Sequence, residues 1–251
     1  MVGRWENRVA VVTGGALGIG AAIVRAGARE GARVWALDVD EESGRKLAAT
    51  AGDAVRFRRV DVTDEAAIAR VTDEIVAESG AIDILVNCAS RDSNADATTM
   101  TSEAWDALMA LDLRAPWLMS RAVLPGMIAR GGGAIVNIGS LHAIMTAEGA
   151  FPYGAAKAGL AGLTRSLALD MGPHGVRVNT VTPGWVLSER VAASFDGDDA
   201  RRRAVEQTQP LRRMGTPDEI ASVVVFVASD EASFVTGANW LVDGGLGARF
   251  A

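Results

Sequence analysis

The sequence predicts one α/β domain built on a doubly wound parallel sheet with helices on both faces. Three observations carry that prediction. Short apolar, β-branched runs alternate along the chain with helix-forming segments of about 10–15 residues. The first of these runs opens into Thr13-Gly-Gly-Ala-Leu-Gly-Ile-Gly20 and then into a helix-forming stretch. Several runs end in small or acidic polar residues, at the strand C-termini where such sheets collect ligands.

Composition sets the limits. A chain of 251 residues, 49% hydrophobic and 22% charged, can bury a sizeable core. It has no internal repeat, low-complexity tract or linker, so residues 1–251 read as a single domain. The formal net charge of −6 argues against a nucleic-acid partner. Arg201–Arg203 follow Asp196, Asp198 and Asp199 and read as a solvated helix start. Cys88 stands alone, which leaves no internal disulfide and suits a reducing compartment. Met1–Arg8 lack the apolar core of a signal peptide, and no apolar run approaches ~18 residues, so a cytoplasmic protein without a membrane span is expected. Two histidines and one cysteine cannot build a His/Cys zinc cluster, and no metal is expected.

In chain order, Arg8–Thr13 is the first strand and Ala21–Glu30 the first helix, with Gly31 placed for a left-handed stop. The glycines between them are spaced Gly14-x-x-x-Gly18-x-Gly20. Between a strand and a helix N-terminus, main-chain N–H groups and the helix dipole can hold a phosphate; a tight turn would use the same glycines. Strand Arg33–Leu37 ends in Asp38, 18 positions beyond Gly20. An acid at that distance accepts from both hydroxyls of an adenosine ribose and repels a 2′-phosphate, which argues for NAD over NADP; a strand-terminal turn would use the same aspartate, and Arg33 and Arg45 are the nearby cations that could reverse the preference.

A helix over Glu41–Thr50, a strand over Ala54–Val60, a helix over Asp64–Ser79 and a strand over Ile82–Val86 follow. Asp61 and Asn87 fall on the strand-end rim, where each alone reads equally as a turn residue or a ligand contact. Ser102–Arg130 reads as a long, interrupted helix with Pro116 and Pro125 as kinks or ends. Residues 134–140 form a buried strand with Ser140 at its exit, and a helix begins at Pro152, which suits a first helical position. The Ala- and Gly-rich run Gly154–Met171 has a face suited to close packing, against a neighbouring subunit or within one. Strand Val176–Val181 leads into a polar, irregular segment, 184–210, expected to be a mobile lid. Helix Pro217–Ala228 and strand Asn239–Val242 close the chain.

Tyr153 and Lys157 lie four apart, on one face of their helix. Tyr153 is the only tyrosine, and Lys157 is one of two lysines against twenty-three arginines. A phenol titrates near pH ~10, and a neighbouring cation favours its phenolate. An ordinary helix with a buried aromatic and a solvated lysine would show the same spacing.

With these residues in view the chain resembles the classical short-chain dehydrogenase/reductases over essentially its whole length. The resemblance implies a Rossmann-type domain. The Thr13–Gly20 loop, including Gly14, Leu17, Gly18, Ile19 and Gly20, is similar to that family's nucleotide loop. Ser140, Tyr153 and Lys157 match its catalytic Ser…Tyr-x-x-x-Lys. Asp61 with Val62 matches the adenine-side acid, and Asn87 and Ala89 the Asn-Asn-Ala-Gly segment. Pro183, Gly184, Val186 and Ser188 match the nicotinamide-side segment, with serine where the family usually has threonine.

Two places depart from the pattern. Asn87-Cys-Ala-Ser90 replaces Asn-Asn-Ala-Gly, and Asp112 stands where the family has a fourth catalytic residue, an asparagine. The resemblance implies reversible hydride transfer between nicotinamide and a carbinol or carbonyl carbon, with Tyr153 as base, Ser140 bonding the substrate oxygen, and Lys157 lowering the phenol pKa and anchoring the ribose. It also implies a homotetramer, the usual family state.

The segments after Asn87 and Thr182 resemble the aldose 1-dehydrogenases within the family. That points to a sugar or polyol substrate held by Arg91, Asn94, His142, Glu148, Phe151 and Trp185. A 3-oxoacyl-[carrier protein] reductase is the competing enzyme, although it usually prefers NADPH. An NAD(H)-binding regulator with little turnover is the competitor from another class. A serine hydrolase using Ser140 and His142 lacks a GxSxG elbow.

Overall fold

The computed structural model describes residues 2–93 and 95–249; Asn94, one of the expected substrate contacts, lies outside the described residues. Seven parallel strands form a single sheet in the order β3-β2-β1-β4-β5-β6-β7. They are β1 Val9–Thr13, β2 Arg33–Asp38, β3 Val55–Arg59, β4 Ile84–Asn87, β5 Gly133–Ile138, β6 Val176–Pro183 and β7 Asn239–Val242. All seven fall where apolar runs predict them. The order reverses between β1 and β4, and their C-terminal ends open a crevice there, the ligand position of this topology.

Strand residues alternate between two cores, as a period of two demands. Ala10, Val12, Val34, Ala36, Val86 and Val136 face one of them. Val11, Trp35, Leu37, Leu85 and Ile135 face the other. Helices α1 (Gly18–Arg29) and α9 (Pro217–Ala228) cover the first layer. Helices α3 (Glu65–Ser79) and α5 (Ala115–Ala129) cover the second. Fully buried Trp5 locks the first layer from the N-terminal side: its indole N–H donates to the Val225 carbonyl at 3.0 Å, and its ring fills the space left by Gly27.

Local chemistry sets the helix starts. Asp40 caps α2 (Glu41–Ala51) and Asp64 caps α3, while Thr101 caps α4 (Ser102–Met109). Thr216 and Glu219 form a reciprocal capping box on α9. Glu219 is held down at about 2 by hydrogen bonds from the Arg213 side chain and the Thr216 main chain.

Four expectations need correction. Helix α1 starts at Gly18 rather than Ala21, so Gly18, Ile19 and Gly20 form its first turn. The interruption of the long helix is a π-helical turn, Ala110–Arg114, lying between α4 and α5; Pro116 follows it inside the first turn of α5, and α5 runs on through Pro125. Pro152 is the N-cap of α6 (Tyr153–Met171) rather than its first residue. The segment 184–210 is not irregular. It holds α7 (Glu189–Ser194) and α8 (Asp199–Thr208), capped by Ser188 and Asp198. In α6 the small residues serve two purposes. Gly159 packs against Leu113 of the same chain, whereas Ala155 and Ala158 face outward.

Candidate active site

At the crevice the glycines are required by contact. Gly14 has φ +62, and a side chain there would bring Cβ to 2.7 Å from the Ala89 Cα; at Gly20 it would stand 1.9 Å from the Gly14 carbonyl oxygen. The loop therefore lies tight against the β4 exit, and the Thr13 hydroxyl accepts from the N–H groups of Cys88 and Ala89 at 3.0 and 3.2 Å. Helix α1 has no side-chain cap, because its N-cap is the half-exposed Leu17. The Gly18 N–H instead donates to the Glu189 carboxylate at 3.1 Å. An anionic group thus already sits on this helix N-terminus, and the loop fits the pyrophosphate of a dinucleotide.

Asp38 ends β2 beside that loop. Its two carboxylate oxygens accept from the N–H groups of Ala16 and Asp40, both at 3.0 Å, and each keeps a lone pair for a ribose hydroxyl. Exposed Asp61, at the β3 exit, accepts from the hydroxyl and the N–H of Thr63, which hold its carboxyl below the usual carboxylate range. Val62 and Val186 point into the cores, so contacts with a cofactor there fall to their main chain. Asn87 is also committed inside: its amide donates to Asn137 at 2.8 Å and to the Pro116 carbonyl at 3.4 Å, tying β4 to β5 and α5. Pro183 closes β6. Gly184 passes so close to Asp243 that a Cβ would lie 2.9 Å from its Cα, and Ser188 accepts from the Val191 N–H at the start of α7.

On the other side of the crevice, Ser140 caps a single 3₁₀ turn over Leu141–Ala143, accepting from the His142 N–H at 3.3 Å. That bond uses a lone pair and leaves the hydroxyl proton for a substrate oxygen. Tyr153 is half-buried, with the His142 ring meeting it edge-on at 5.7 Å between centroids. One helical turn on, Lys157 is 3% exposed. Its ammonium lies 5.3 Å from the Tyr153 ring centroid and donates to the Ile138 carbonyl at 3.3 Å. Burial alone would push this amine down, but Tyr153 and the Asp112 carboxylate, which also accepts its hydrogen bond, reverse that and hold it above its ordinary value.

Asp112 sits on the π turn, fully buried, 3.2 Å from the Lys157 ammonium, and accepts a hydrogen bond from the Ser90 hydroxyl. The family resemblance pointed to Asp112 but not to its side-chain partners, which come from the β4 exit and from α6, far away in sequence.

Beyond His142 a cavity of about 660 Å³ opens, walled by Asp96, His142, Thr146, Glu148 and Phe151 among others. Three expected substrate residues, His142, Glu148 and Phe151, meet there. Arg91 and Trp185 do not line it; Trp185 is exposed, and Arg91 points its N–H toward Asp112. Asp96 and Thr146 were not foreseen. Thr146 lies four residues after His142, and its hydroxyl meets His142 Nδ1 at 2.9 Å, an i, i+4 polar pair that the sequence does show. His142 is pushed below its usual range by burial, with Asp92 partly opposing.

A glycine loop on an uncapped helix, an acid at the second strand and a tyrosine over a buried lysine define a nicotinamide-nucleotide oxidoreductase. The comparisons with known proteins narrow this. A family model described as enoyl-(acyl carrier protein) reductase matches residues 14–247. The chain is 42% identical over 245 residues to a D-threitol dehydrogenase of Mycolicibacterium smegmatis, covering 96% of this chain and 94% of that one. It is 38% identical over 245 residues to a probable galactose dehydrogenase of Rhizobium meliloti, covering 96% and 95%. A solved structure of a putative short-chain dehydrogenase/reductase from Burkholderia xenovorans superposes with a TM-score of 0.94 at 37% identity, covering 99% of this chain and all of that one. The chain belongs to the short-chain dehydrogenase/reductase family and is an oxidoreductase acting on alcohol or carbonyl groups. Its cofactor is a nicotinamide dinucleotide. No helix among the described residues is long and apolar enough to cross a membrane.

Proposed function

We propose that the protein is an NAD-dependent dehydrogenase of a sugar or polyol. The observation that supports this most is the cavity beside Tyr153, where Asp96, His142, Thr146 and Glu148 offer acceptors and donors suited to several hydroxyls. Asp38 supports NAD, because a carboxylate beside the ribose site repels a 2′-phosphate. Similarity to a threitol and a probable galactose dehydrogenase agrees with the substrate class.

In the oxidation direction Tyr153, as phenolate, takes the hydroxyl proton of the substrate. Ser140 donates a hydrogen bond to the same oxygen and fixes its position between the two side chains. Lys157 beneath the ring favours the phenolate through its charge. Nicotinamide, when bound, supplies the acceptor for the carbinol hydrogen. In reduction the same residues return the proton.

A carrier-protein-linked ketoreductase is the second reading, favoured by 37% identity over 241 residues to a 3-oxoacyl-[acyl-carrier-protein] reductase of Vibrio cholerae, with Asp38 against it. The homotetramer belongs to the same proposal and is checked by sedimentation of the purified protein; outward-facing Ala155, Ala158 and Leu169 on α6 are consistent with it. The test of function is turnover of aldoses, polyols, hydroxy acids and a β-ketoacyl thioester with NAD(H) and with NADP(H), read as absorbance of reduced nicotinamide. Aldose or polyol oxidation with NAD, falling at least about 100-fold in Tyr153→Phe, is the expected result. Preference for the thioester with NADPH would install the second reading, and tight NADH binding without any turnover would point to a regulator.

A further inference from the structure

The two departures from the family pattern lie against each other. Ser90, in place of glycine at the β4 exit, donates its hydroxyl to Oδ1 of Asp112, which stands in place of asparagine on the π turn. The Arg91 N–H lies 3.4 Å from the other carboxylate oxygen, and the Lys157 ammonium 3.2 Å from Oδ1. Asp112 is 0% exposed and Lys157 3%. A buried carboxylate is tolerated only with partners of this kind, and here Ser90 and Arg91 supply them together with the lysine. The serine and the aspartate therefore form one unit, the first making room in hydrogen bonds for the charge of the second.

The consequence falls on Tyr153. Lys157 is the cation beneath the phenol, and the carboxylate shares it. Among the other groups facing this pair, the Cys88 thiol at the β4 exit is pushed up to about 12 by burial and stays neutral. His142, edge-on to the tyrosine, is pushed down by burial and is neutral across the alkaline range. Asp92 pairs with Arg190 at 3.5 Å on the surface, and Asp38 is bonded to the glycine loop. Asp112 thus places a carboxylate 3.2 Å from the cation that favours the phenolate.

We propose that the Asp112 carboxylate, held in place by Ser90, clamps the Lys157 ammonium as a positioning residue and raises the pH at which Tyr153 gives up its proton, relative to the neutral asparagine of the family, with the Ser90 hydroxyl moderating that rise. The consequence for catalysis rests on the reading of Tyr153 as the base, but the electrostatic claim can be read without turnover. Tyr153 is the only tyrosine, so the absorbance change on tyrosinate formation reports on it alone, and the six tryptophans do not ionise in that range.

The experiment is an alkaline spectrophotometric titration of the wild type, Asp112→Asn, Ser90→Ala and Tyr153→Phe, with the pH profile of kcat/KM recorded in parallel. Asp112→Asn moves the tyrosinate midpoint, and the acidic limb of kcat/KM with it, down by about one pH unit or more. Ser90→Ala moves both upward by less, since the hydroxyl dipole no longer screens the carboxylate; this variant decides the matter if Asp112→Asn does not fold. Tyr153→Phe shows no tyrosinate step. Midpoints that overlay the wild type, or a loss of kcat/KM uniform with pH, overturn the proposal. A shifted midpoint in a protein that oxidises no alcohol leaves the clamp standing and removes the dehydrogenase reading instead.

Discussion

Lys157 shows how far a single residue can be read before any fold is known. One ammonium retained in a chain that otherwise uses arginine, four residues after the sole tyrosine, is visible in the sequence because helical spacing and side-chain chemistry are both local. What surrounds the ammonium is not local. Ile138 comes from β5, Asp112 from the π turn and Ser90 from the β4 exit, and no spacing rule joins these positions. The enclosure has a measurable consequence. A guanidinium keeps the charge but spreads it over a planar fork too large for a site that holds Nζ at 3.3 Å from a carbonyl and 3.2 Å from a carboxylate. Lys157→Arg is therefore expected to lower kcat by about 100-fold or more, the scale of a misplaced acid–base group, while the far-ultraviolet circular dichroism stays that of the wild type. Retention of most of the turnover would show that charge alone suffices at this position.

At the scale of elements, legibility followed the length of the periodic pattern. Helix α9 and strand β7 have the predicted limits: a Thr-Pro start with Glu219 three residues after Thr216 marks α9, and the short apolar run 240–242 ending at Asp243-Gly-Gly marks β7. The segment after β6 was misread because α7 spans only six residues, too short for an apolar stripe; its caps, Ser188 and Asp198, were the signal available. Helix α7 bridges the crevice. Glu189 bonds the Gly18 N–H at 3.1 Å, and Arg190 pairs with Asp92 at 3.5 Å. On the proposed cofactor site, the Glu189 carboxylate occupies the helix terminus that would receive the pyrophosphate, so cofactor entry would displace it. Such helix-terminus interactions are worth about 0.3–1 kcal/mol at exposed sites, a change of roughly two- to five-fold in affinity. Glu189→Gln is accordingly expected to bind NADH a few-fold more tightly in a fluorescence titration. Weaker binding in that variant would mean that Glu189 holds the cofactor rather than competing with it.

At the scale of the whole molecule, the alternation of strands and helices announces a parallel sheet, but not which strands are neighbours. That order is settled by the right-handed crossovers and by the match of two apolar faces across the layers, and it alone brings the glycine loop of β1 next to the β4 exit. The crevice is therefore a property of the assembled sheet, and a ligand filling it stabilises the fold as a whole. A ligand at about 100 times its dissociation constant adds ~2.7 kcal/mol, and for a chain of this size each kcal/mol raises Tm by roughly 2–4 °C. Saturating NADH is thus expected to raise Tm by about 5–10 °C in a thermal-shift assay. On the proposal that Asp38 lies beside the adenosine ribose, NADPH at the same concentration is expected to give a small fraction of that rise, because its 2′-phosphate would meet the carboxylate. Replacing Asp38 by glycine removes the repulsion and should draw the two shifts together. Equal shifts in the wild type would sink the NAD assignment, and a dominant NADPH shift would strengthen the carrier-protein reductase reading at the expense of the sugar dehydrogenase.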